Sequence, residues 1–113
     1  MGILAKILGS FSSGPPIQNL ETIDMVLKMK DGGLFLIIAT SKHLDSSEET
    51  LNLLRKKVEN YVKTISLEEF KVDYPNAEYF LIEIKCVDVP AYEVINEVEE
   101  LKKKYNIEIT FND

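Results

Sequence analysis

The sequence has one cysteine, one histidine, an acid excess and no apolar run approaching the about 18 residues that cross a bilayer. Each scarcity closes a class of function. A single cysteine, Cys86, forms no intrachain disulfide, and structural zinc needs several thiolate or imidazole ligands. A single histidine, His43, leaves acid–base chemistry with one imidazole. Nucleic-acid surfaces neutralise phosphates with a basic stripe. Here 13 Lys and Arg stand against 19 Asp and Glu, and the only basic cluster, Arg55-Lys56-Lys57, reads as a solvated helix face. These absences point to a cytoplasmic protein that is not an enzyme, with no cofactor, no metal and no nucleic-acid partner.

What is present is an ordinary globular composition, 45% apolar and 28% charged, at one domain's length. The charge is uneven. Residues 1–65 hold 8 basic and 7 acidic side chains, whereas residues 66–113 hold 5 and 12. An acidic half of this kind steers a basic partner protein toward it.

Residues 1–21 stand apart from a single domain over 22–113. Ile3, Leu4, Ile7, Leu8 and Phe11 recur at one-turn spacing and share one stripe on a helix. Ser12-Ser13-Gly14-Pro15-Pro16 then breaks the helix and acts as a spacer. The stripe is a docking segment for its own domain, a second copy, a protein partner or a membrane surface. With Lys6 as its one cation, contact with anionic lipid is weak.

Within the domain, Ile23–Lys30 alternates in polarity, and Asp31-Gly32-Gly33 supplies the positive φ of a hairpin turn. Leu34–Thr40 is almost continuously apolar, as in a strand buried on both faces. Ser46 and Glu49 have capping-box spacing, and Leu51, Leu54, Val58, Tyr61, Val62 and Ile65 mark one helix face. The same spacing at Ser66 and Glu69 predicts a break and a short further helical turn. Tyr79–Val89 reads as a third strand with Phe80, Ile82, Ile84 and Cys86 on one side. Pro90 opens a second long helix, in which Val94, Val98 and Leu101 share a face and acidic residues precede Lys102-Lys103-Lys104. Asn106 is its left-handed stop, before a last strand through Ile107, Ile109 and Phe111. The order β-β-α-β-α-β predicts an α+β two-layer sandwich, a four-stranded mixed sheet with two helices on one face.

Several of these segments carry a resemblance. Ile23-Asp24, His43-Leu44-Asp45, the helix from Leu53-Leu54 through Lys57 to Tyr61, and the Tyr74-Pro75-Asn76-Ala77 loop together resemble a family of small bacterial proteins of unknown function. That family often has Trp after His-Leu-Asp, where this chain has Ser46. The resemblance spans about residues 22–112 and implies no reaction, cofactor or catalytic residue.

No catalytic constellation is visible. His43 and Asp45 precede a helix, where capping and loop packing explain both. Asp31-Gly32-Gly33 lies between strands, whereas a phosphate loop opens onto a helix. Asp73, Glu78, Glu83 and Asp88 have no spacing that sets two carboxylates across a cleft. The functional expectation is a protein-interaction domain, of the immunity type that masks a basic partner, or a homodimer. The alternatives are a peripheral membrane protein held by residues 3–11 and a small enzyme using His43.

Overall fold

The computed structural model describes residues 14–112. Its strands are β1 (Met25–Lys28), β2 (Gly33–Ala39), β3 (Tyr79–Lys85) and β4 (Glu108–Asn112). Its helices are α1 (Glu48–Ile65), α2 (Glu68–Asp73) and α3 (Tyr92–Tyr105). The strands lie in chain order, β1-β2-β3-β4. β1 runs antiparallel to β2, while β2/β3 and β3/β4 are parallel. The fold is the mixed-sheet α+β sandwich expected of the element order, with α2 as the short turn after the break.

The hairpin forms because Gly32 takes φ +97°, and Met29 and Gly33 close the loop through Met29 N–H to Gly33 O at 2.8 Å. Register then sorts the side chains. Val26, Leu36, Ile82 and Ile109 form one row beneath the helices, with Leu34, Ile38 and Ile84 on the same face. Against them pack Leu51, Leu54, Val58 and Tyr61 of α1 and Val94, Val98 and Leu101 of α3, all buried. Ile17, buried completely, joins this core and bridges to Thr40 beside the end of β2.

The helix boundaries depart from expectation in instructive ways. α1 is capped by Ser47, one residue after Ser46: its Oγ accepts from Thr50 N–H at 3.2 Å. Asp45 is the reason, because its Oδ1 accepts from Ser47 N–H (3.1 Å), Ser47 Oγ (2.6 Å) and Thr50 Oγ1 (2.6 Å) and fixes the cap in place. Ser66 does not cap α2. It closes α1 instead, its hydroxyl donating to Lys63 O at 2.8 Å. α3 begins at Tyr92, with Ala91 at its cap and Pro90 just outside, and ends as expected at Asn106 (φ 52°).

Candidate functional site

Three features combine side chains from distant parts of the chain: a buried polar clamp, a histidine–aspartate pair and the sheet face turned away from the helices.

The clamp centres on Lys57. Its side chain is fully buried, which corrects the reading of Arg55-Lys56-Lys57 as a solvated face. A buried ammonium is tolerated only when its donors are matched by acceptors. The Lys57 Nζ has three donors and lies 2.7–3.0 Å from the carbonyl oxygens of Gln18, Asn19 and Thr22, and 2.8 Å from Asp24 Oδ1. Asn19, at φ 53°, helps turn this loop around the cation. The other Asp24 oxygen accepts from Ala39 N–H at 2.9 Å. Tyr61, one turn along from Lys57, receives Asp24 N–H at 2.9 Å and donates its hydroxyl proton to Ile37 O. Burial pushes the Tyr61 phenol well above its ordinary range, so it remains a donor. The clamp thus staples residues 18–24 to α1 and β2. Positions 54, 57, 58 and 61 share one helix face, and that spacing is the signal that places Lys57 inside.

His43 and Asp88 meet beyond the C-terminal ends of β2 and β3, His43 Nδ1 lying 2.8 Å from Asp88 Oδ1. Ala91 N–H donates to Leu44 O at 2.9 Å and stitches the two loops together over the buried Leu44. Asp45, beside them, is held down to about 2 by the Ser47 hydroxyl and then by Thr50 and the Ser47 backbone. The pair is half exposed, 47% for His43 and 57% for Asp88. It lines none of the main clefts among the described residues. Ligand crevices in parallel sheets open where strand order reverses, and this sheet runs in strict chain order. The geometry orients an imidazole, whose side-chain partner among the described residues is the Asp88 carboxylate. Of the other carboxylates weighed from sequence, Glu83 lies 3.4 Å from Asn112 Nδ2, and Asp73 lines a 220 Å³ cleft with Lys28 and Tyr74 beneath the hairpin turn. Among the described residues no group of three or more His, Cys, Asp or Glu side chains is arranged to hold a metal ion.

The third feature is the sheet face turned away from the helices. Its rows read Leu27, Phe35, Leu81, Glu108 and Met25, Ile37, Glu83, Thr110. The side is apolar over β1 and β2 and turns polar toward β4. Met25 is 54% exposed and Leu27 42%, while Phe35 and Leu81 are partly buried and Ile37 is buried. At the turn, the Tyr79 ring lies where a Gly33 side chain would be: a Cβ there would sit 2.1 Å from Tyr79 Cζ. The Tyr79 hydroxyl donates to Asp31 Oδ2 at 2.7 Å and holds that ring across the hairpin.

The docking residues expected from sequence, Ile3, Leu4, Ile7, Leu8 and Phe11, lie outside the described residues. No described helix is long and apolar enough to cross a membrane.

A model of a family of unknown function (DUF6572) matches residues 16–112. The chain belongs to that family. No curated protein and no solved structure matches it. The family match includes the clamp, from the loop carbonyls of residues 18–22 through Asp24 and Lys57 to Tyr61. It also includes His43, Asp45 and the Tyr74-Pro75-Asn76 loop, in which Tyr74 packs on Phe70 with ring centroids 4.8 Å apart. Most of the segments that carried the resemblance therefore have packing or capping roles here: Asp24, Lys57 and Tyr61 build the clamp, Leu44 is core, Asp45 fixes a helix cap and Tyr74 stacks.

Proposed function

We propose that this DUF6572 protein is a non-catalytic interaction domain whose sheet face turned away from the helices receives a protein partner. The supporting observation is the exposure of Met25 and Leu27 at the β1 side of this face, beside the partly buried Phe35 and Leu81 and the buried Ile37. Soluble domains keep contiguous apolar patches small unless another surface covers them. Glu83 on β3 borders this apolar surface, so the complementary surface is apolar at its centre and basic toward β3. A small acidic domain that masks a basic protein, as an immunity protein does, has this combination of charge and shape.

The test is capture of tagged full-length protein from its native cells, in parallel with a Met25→Ser/Leu27→Ser variant. The expected result is a stoichiometric basic protein that the variant loses while its circular dichroism is unchanged. Capture of the same partner by the folded variant contradicts this assignment of the surface. Recovery of membrane fragments through residues 3–11, lost when residues 2–13 are removed, favours the peripheral-membrane alternative instead.

A further inference from the structure

Among the described residues the sheet ends on β1 at one edge and β4 at the other, and the chemistry of the two edges differs. β1 is four residues long and ends on Lys28, with Lys30 next along the turn. Lysines and short length are what natural sheets use to discourage pairing at an edge. β4 has neither lysine nor proline, and its one charge, Glu108, lies 3.0 Å from Lys102 Nζ.

The backbone direction of β4 is set by one bond. Cys86 N–H donates to Asn112 O at 2.8 Å, so Asn112 turns its peptide groups toward β3. Alternation turns those of Thr110 and Glu108 the same way and sends those of Ile109 and Phe111 outward. Four backbone groups, two donors and two acceptors, therefore face away from the sheet. Beside them Ile107 and Phe111 pack against the core yet remain only partly buried.

We infer that the outer edge of β4 is a homodimer interface, with a second copy pairing antiparallel about Thr110. A twofold axis there sets Ile109 opposite Phe111 of the partner copy, and these are the residues whose N–H and C=O point outward, so both pairs exchange two hydrogen bonds. Apolar side chains meet apolar ones on the core face. On the other face Thr110 meets Thr110 and Glu108 meets Asn112, so no like charges oppose. The axis also runs the two α3 helices antiparallel. The outer side of each helix, which carries Glu99, Lys102 and Lys103 next to Ile107 and Glu108, then faces its mate with acid toward base. A symmetric contact cannot use an edge whose own sequence repels itself; β4 is self-complementary in hydrogen bonding, apolarity and charge. This interface is independent of the partner face over β1 and β2, and both can be occupied together.

Sedimentation of the full chain tests it. The wild type is expected to be a dimer. Thr110→Lys, which places two ammonium groups at the axis, is expected to weaken self-association by at least about tenfold with unchanged circular dichroism. Thr110 occupies a non-hydrogen-bonded pair, where Cα atoms lie about 4.5 Å apart, within the range a disulfide spans. Thr110→Cys is therefore expected to oxidise to a 110–110 linkage in the folded protein, mapped by mass spectrometry. A monomeric wild type overturns the inference. So does a dimer that Thr110→Lys leaves intact, or one in which cysteines at 110 fail to link.

Discussion

Lys57 is the residue on which the entry segment depends. Its ammonium replaces its water shell with four protein oxygens, and each of those oxygens would be left short of a partner without it. Lys57→Met keeps most of the volume and removes the charge, leaving Asp24 near the core with only Ala39 N–H beside one oxygen. The expected cost is about 3–5 kcal/mol of folding stability. Tyr61→Phe removes two hydrogen bonds and no charge, and is expected to cost about 1–3 kcal/mol. Urea unfolding of both variants checks the order; equal, small losses would show that the clamp is solvated in solution. In the sequence this lysine was hidden by its neighbours. Arg55 and Lys56 are solvent-facing or partly so, and a run of three cations reads as one surface unless the helical position of each is weighed separately. The partners were hidden for another reason: three of the four are backbone carbonyls, which leave no trace in side-chain chemistry. The His43–Asp88 pair was equally illegible, because 45 residues separate its members and only the stitching of two loops brings them together.

At the scale of elements, local chemistry was a good guide where polarity alternated or a cap residue had one role. The hairpin, the buried β2, the left-handed stop at Asn106 and the core face of α3 all follow from spacing. The N-terminus of α1 shows where spacing ran out. Ser46 and Ser47 both offer a cap, and the choice is made by Asp45, which binds the second hydroxyl. That carboxylate is held at about 2, below the ordinary value of about 3.9. A depressed carboxylate contributes stability that is present above its unfolded value and is lost as pH falls through its folded one. Asp45→Asn is therefore expected to be less stable than wild type at neutral pH, with the gap closing between about pH 4 and pH 2. Thermal melts of the two proteins across that range measure it; a gap independent of pH would show that the hydrogen bonds, not the charge, carry the effect. β1 is the element whose orientation its pattern did not give. Its more apolar side, Met25 and Leu27, faces away from the helices, and Val26 faces the core. Four residues are too few for polarity alone to set the face, and register with β2 decides it.

At the scale of the molecule, the fold class was legible from element order, while strand order was not, since connection lengths alone allow several arrangements. The sequential order has a functional consequence. It puts the described helices on one side, so none of them packs on the far sheet face. The account's central claim is that this face is a protein-binding surface. Met25, 54% exposed, is a built-in reporter of it, because thioethers oxidise in proportion to access. The measurement is hydroxyl-radical footprinting of Met25 in the purified protein and in lysate of its native cells. Strong oxidation in the purified protein and clear protection of Met25 in lysate is the result the account requires. Equal oxidation in the two samples, or protection already complete in the purified protein, would contradict it.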